Sequence, residues 1–136
     1  MYRLAVACVV LASSAAWAQP DKVIYELRER CGRQAAETFK KEWSSNVVSI
    51  KNGQILGSFE NHYSPRLNKC FYLEISTTYE RDKKPLKALR LFDLHDNNEY
   101  AHAAFTEGTV LYCSVRDRFC SSEAEWRELI EPFMED

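Results

Sequence analysis

With 136 residues and 18 basic against 20 acidic side chains, the chain is long enough for one domain and too evenly charged to form a nucleic-acid or anionic-lipid surface. No part of the composition calls for a cofactor. Beyond the N-terminal segment, no stretch approaches the roughly 18 apolar residues that a membrane span requires.

The chain opens MYRLAVACVVLASSAAWAQP, with one basic residue, Arg3, an apolar run from Leu4 to Ala16, and the small-x-small pattern Ala16-Trp17-Ala18. This is the form of a secretory signal peptide over residues 1–18, with the exported chain beginning at Gln19. A lipid anchor on Cys8 would leave almost no hydrophobic region ahead of it. Cleavage removes Arg3 and Cys8, leaving 17 basic against 20 acidic residues and four cysteines: Cys31, Cys70, Cys113 and Cys120. An even count in an exported chain of this size reads as two disulfides, with three connectivities open. None of these cysteines forms a Cys-x-x-Cys pair, so neither a thioredoxin-like motif nor a zinc ribbon is supported. Location is read as periplasmic or secreted, and residues 19–136 as a single α+β domain.

Asp21 to Trp43 has apolar residues at helical spacing, Val23, Ile24, Leu27, Cys31, Ala35, Phe39 and Trp43, with charged residues mostly elsewhere. An amphipathic helix follows, with Gly32 inside it. Val47, Val48 and Ile50 form a short strand before the hairpin dipeptide Asn52-Gly53. Gln54 to Tyr63 is a second strand, and Ser64-Pro65-Arg66 turns the chain. The longest clean alternation comes next. Phe71, Leu73, Ile75, Thr77 and Tyr79 fall on one side of a period-2 ribbon, and Tyr72, Glu74, Ser76, Thr78 and Glu80 on the other.

Arg81 to Lys84 is a charged turn, and Pro85 limits the start of the next strand. Leu86 to His95 and Glu99 to Phe105 read as a hairpin about a two-residue Asn97-Asn98 turn. That register pairs His95 with Tyr100 and Asp93 with His102, so Asp93, His95, Tyr100 and His102 share one face. Glu107-Gly108 leads into a last strand, Thr109 to Val115. Ser122 with Glu125 is a capping box for a helix whose apolar face is Trp126, Leu129, Ile130 and Phe133, and which Pro132 should end or kink.

These elements predict an antiparallel meander of four to six strands with the N-terminal and C-terminal helices packed on one face. Cys31 lies on the apolar side of the first helix and Cys70 opens the main strand, so that pair should meet. Cys113 and Cys120 then bridge the end of the last strand to the helix cap.

Cys31-Gly32 with Ala35 and Phe39, followed by Asn61-His62-Tyr63 and Leu67-Asn68-Lys69-Cys70-Phe71, resembles a group of uncharacterised small exported bacterial proteins over residues 31–71. The resemblance implies an envelope or secreted location in a Gram-negative bacterium. It carries no chemistry to transfer.

Two constellations stand out. Asp93, His95 and His102, with Tyr100 beside them, have the residue types of a three-ligand zinc site or of a carboxylate-oriented general base. The same pattern also describes a solvated hairpin face. His62, Arg66, Asn68 and Lys69 cluster at a turn where they could hold an anion, although asparagine and histidine in such places commonly bond the backbone instead. No Gly-x-Ser-x-Gly elbow occurs. The sequence therefore points to a small exported non-catalytic binding or accessory module whose partner is another exported protein, an inhibitor being one form. The alternative is a small hydrolase or metal-dependent enzyme using Asp93, His95 and His102. A structural envelope component is a third reading.

Overall fold

The helical spacing of Ile24, Leu27, Cys31, Ala35 and Phe39 produces α1, Pro20–Glu42, in the computed structural model, which describes residues 20–136. The signal-peptide assignment lies outside the described residues. After α1 come β1 (Val47–Ile50), β2 (Gly53–Ser64), β3 (Lys69–Glu80), β4 (Leu86–Asp93), β5 (Asn98–Thr106), β6 (Thr109–Val115), β7 (Arg118–Phe119) and α2 (Glu123–Met134). The strands form one antiparallel sheet in sequence order, an uninterrupted meander of seven strands where four to six were expected. The excess comes from short pieces: β7 has only two residues, Arg118 and Phe119.

The turns explain the register. Asn68, Asp82, Asn97, Glu107 and Arg116 each take positive φ, one at each hairpin after β2. Asparagine and aspartate tolerate this left-handed conformation best, which suits three of these positions. At the first hairpin the turn residues are Lys51 and Asn52, because Ile50 pairs directly with Gly53. Gly53 is displaced from the expected turn into the ladder, where a β-carbon would overlap the Tyr79 carbonyl of β3. Glycine is needed there for close approach.

β3 has a different environment from the half-buried ribbon that its alternation suggests. Phe71 and Leu73 pack with Leu89, Leu91, Ala101, Ala103, Trp126 and Ile130, under α2. Tyr72, between them, packs with Ala35 and Phe39 of α1. The two helices therefore cover opposite faces of the sheet, not one. The parity of β3 requires this: Cys70, on the Tyr72 side, is bonded to Cys31 of α1, so α2 can take only the Phe71 side. The Cys31–Cys70 and Cys113–Cys120 bridges are both present, with Cα atoms 5.3 Å and 5.1 Å apart.

Ser122 caps α2, its Oγ accepting from the Glu125 amide at 3.1 Å, while the Glu125 carboxylate takes the Ser121 amide and hydroxyl. Those two bonds hold the Glu125 carboxyl below its usual range. The helix runs through Pro132 to Met134 and does not stop at it. No helix among the described residues is long and apolar enough to cross a membrane. Two disulfides suit an oxidising compartment.

Candidate functional site

α1 lies over β2 and β3 and its cluster reaches Phe92 of β4, so the same face of the sheet is left open from Arg90 of β4 across β5 and β6. From β3 into that open region the register aligns Glu74, Arg90, His102 and Ser114 in one row over four strands. Glu99, opposite Phe92, sits beside the row and ties it together. Arg90 donates from Nε and Nη2 to Glu99 Oε2, each at 3.0 Å, and its ring-stacked guanidinium lies 4.6 Å from the Phe92 centroid. His102 Nδ1 is 2.7 Å from Glu99 Oε1, and its Nε2 is 3.2 Å from Ser114 Oγ. Since a carboxylate only accepts, the neutral imidazole carries its proton on Nδ1 and offers Nε2 as acceptor to the Ser114 hydroxyl. The Tyr112 ring completes this corner, T-shaped to the His102 imidazole with 5.3 Å between centroids.

At the other end of the row, Glu74 accepts from the Trp43 indole at 3.1 Å, below the end of α1. Glu42 is close by. Burial, and then the neighbouring Glu74 carboxylate, raise the Glu42 carboxyl above its usual range. Tyr72 is buried beside them and its hydroxyl has no hydrogen-bond partner. Burial foremost, then Glu74 and Glu42, push that phenol well above its ordinary value. A polar hollow of about 430 Å³ lies along Glu99, His102, Ser114, Arg116 and Asp117.

The expected Asp93, His95, Tyr100 and His102 face does not exist. Asp93 pairs with Asn98, so the turn is the four residues Leu94 to Asn97 and not the pair Asn97-Asn98. A bulge between Leu91 and Phe92 leaves Tyr100 unmatched in the ladder, and its ring turns towards Phe71 and Phe133 on the α2 side. Asp93 pairs with Phe71 and so also points to the α2 side, fully buried. His102 pairs with Arg90 and points the other way. His95 is in the turn, its side chain 81% exposed. Among the described residues no group of three metal-ligating side chains forms.

Asp93 has a structural role. Lys69 Nζ bonds Asp93 Oδ2 and lies 2.8 Å from Asp96 Oδ2, while the His95 amide donates to Asp93 Oδ1 at 2.9 Å. These bonds to two carboxylates raise the Lys69 amine above its usual range and lower Asp96. The four residues of the anion cluster likewise turn to separate partners. His62 Nε2 is buried 3.2 Å from Asp136 Oδ1, at ion-pair distance without hydrogen-bond alignment. Arg66 donates to the Pro132 carbonyl at 2.9 Å. Asn68 accepts from the Tyr63 hydroxyl at 2.6 Å, and Lys69 is held by the two aspartates. They fix the β2–β3 turn to α2 and to the β4–β5 turn.

Glu74, Arg90, Glu99 and Ser114 were not among the residues singled out from the sequence. Counting outward from a four-residue turn sets Arg90 opposite Ala101, and the bulge between Leu91 and Phe92 then moves it opposite His102. Comparison with family models, with curated proteins and with solved structures finds no match.

Proposed function

We propose that the protein is a small exported binding or accessory module without catalytic activity, which holds another exported protein on the open margins of its sheet. One observation carries this reading: the helices leave much of the sheet uncovered. The bare region has a fixed polar row, Arg90 to Ser114, beside Tyr112, which is 49% exposed, and Phe119, which is 87% exposed. Preorganised charged groups next to exposed aromatics suit protein recognition, where aromatic anchors contribute affinity and fixed polar groups contribute selectivity. A photo-crosslinking residue placed at Tyr112, at Asn61 on the β2 edge, and at Asp82 in a remote turn tests it in the exported fraction. A discrete adduct at Tyr112 or Asn61 with none at Asp82 supports the reading, and equal or absent adducts at all three remove it.

A second reading rests on the Ser114, His102 and Glu99 geometry, which is that of a nucleophile, its base and an orienting carboxylate. Such a hydrolase needs oxyanion donors, each typically worth about 10²–10³ in rate. Here His102 and Ser114 both sit on strands with paired neighbours on each side, so the ladders engage their main-chain groups. Arg116 is the one lysine or arginine among the residues lining the same hollow. The engagement of the His102 and Ser114 main chains in the ladders favours binding over catalysis. A fluorophosphonate probe discriminates: labelling that disappears in Ser114→Ala would establish the hydrolase.

A further inference from the structure

The edge of β2 is open over half its length. β1 pairs only with Gly53 to Leu56, and the next outward bond is that of the Gly57 amide to the Asn46 carbonyl at 2.8 Å. Main-chain groups alternate in direction along a strand, so those of Phe59 and Asn61 point the same way as those of Gly57. They leave the sheet and meet no hydrogen-bond partner among the described residues. An unpaired row of this kind is a template for another strand.

The surroundings decide which strand. On the α2 side a groove of about 720 Å³ runs beside the edge, its floor made by Ile130 and Met134 and its walls by Glu60, Glu128, Glu131 and Glu135. Glu128 and Glu131, three residues apart on α2, and Glu135, its C-cap, form one acidic stripe along the groove. Arg127, the one lysine or arginine lining the groove, is engaged by Glu60 at 3.7 Å and Glu123 at 3.8 Å. The carboxylates of the stripe have no ion-pair partner among the described residues. Because side chains of an added strand alternate between faces, every second residue of an incoming segment would enter this acidic groove.

Resting on the binding-module reading, we infer that the β2 edge receives an extended basic segment of a partner protein, paired to Phe59 and Asn61 and carrying lysine or arginine at alternate positions towards Glu128, Glu131 and Glu135. Charge argues against a second copy of this chain as the occupant. A two-fold β2 to β2 pairing would bring one acidic groove against another, and like charges across an interface cost affinity. Residues 1–19 contain a single basic residue, Arg3, and lack the alternating charge the groove selects.

The test uses the exported chain and a ten-residue peptide alternating lysine with threonine. Two controls are a peptide with glutamate for lysine and the lysine peptide N-methylated at alternate amides. Binding should slow hydrogen exchange at the Phe59 and Asn61 amides at least tenfold and weaken as salt rises. N-methylation, or Glu131→Lys with Glu128→Lys at unchanged melting temperature, should each raise Kd at least tenfold. Equal binding of the methylated peptide, or no binding of the lysine peptide, overturns the inference. Protection of Phe59 and Asn61 that grows with protein concentration alone would assign the edge to a second copy and overturn it too. An adduct at Tyr112 with a silent β2 edge refutes this inference while the binding-module reading stands, whereas silence at Tyr112 and Asn61 alike removes that reading itself.

Discussion

The two disulfides should contribute unequally, and the difference follows from where each closes the chain. Cys31–Cys70 spans 39 residues and Cys113–Cys120 spans 7. The chain-entropy relation assigns them about 4 and about 2.4 kcal/mol at 25 °C. At about 4 °C per kcal/mol for a domain of this size, Cys31→Ala/Cys70→Ala should lower Tm by about 15 °C, and Cys113→Ala/Cys120→Ala by about 10 °C. The first bridge also lies in a small cluster of its own with Tyr63, Ile24 and Leu27, where it ties the N-terminal half of α1 to the sheet. The second joins a strand end to the loop before α2, which Trp126 and Ile130 already anchor in the main core. Circular-dichroism melts of both double variants measure the order, and hydrogen exchange along α1 measures its cause. An equal or larger loss from the second pair, or unchanged α1 exchange in the first, would refute the reasoning.

Other substitutions test the packing. Lys69→Met removes the cation bonded to the fully buried Asp93 and should cost about 3–5 kcal/mol, read from urea titration, because an uncompensated charge remains inside. Tyr72→Phe keeps the ring against Phe59, 5.6 Å between centroids, and removes a buried hydroxyl that has no partner. It should stabilise by about 1 kcal/mol at pH 7. The raised phenol of the native protein keeps its proton when the unfolded one ionises near pH 10, so this contribution is complete below that pH and is lost as pH rises further. Denaturation at pH 9 and 11 should therefore show a smaller alkaline loss for Tyr72→Phe than for the native chain. Gly57→Ala would drive a methyl into the Trp43 ring and loosen the indole bond to Glu74, at a cost of about 1–3 kcal/mol and a shift in tryptophan fluorescence.

Residues whose contacts are local could be read from the sequence. Ser122 and Glu125 marked a helix start, Cys31 fell at the right point of an apolar stripe to meet Cys70, and the period-2 runs located the longer strands. What failed depended on two local details, the length of one turn and a single bulge. Reading Asn97-Asn98 as the turn pairs Asp93 with His102 on one face, whereas the true turn pairs Asp93 with Asn98 and the bulge between Leu91 and Phe92 sends His102 to the opposite side of the sheet. Asn97 was rightly suspected of a left-handed conformation, with φ of 53°, but such a residue can end a four-residue loop as well as open a two-residue one.

The misplacement of the helices has a related cause. A ribbon with Phe71, Leu73 and Ile75 on one side looks half-buried when only its own residues are counted, and Tyr72 and Glu74 look solvent-directed. Tyr72 is in fact 1% exposed, because Phe39 and Ala35 arrive from α1, more than thirty residues earlier. Amphipathic alternation shows which faces differ, not how many are covered. Aromatic residues are poor reporters of that number because their rings suit cores and interfaces equally. The polar row is harder still to read. Glu74, Arg90, His102 and Ser114 are scattered over 41 positions, and each looks like an ordinary solvent-facing strand residue. Only the register brings them together, so the functional reading of this face depends on the same pairing that a turn two residues shorter would have displaced.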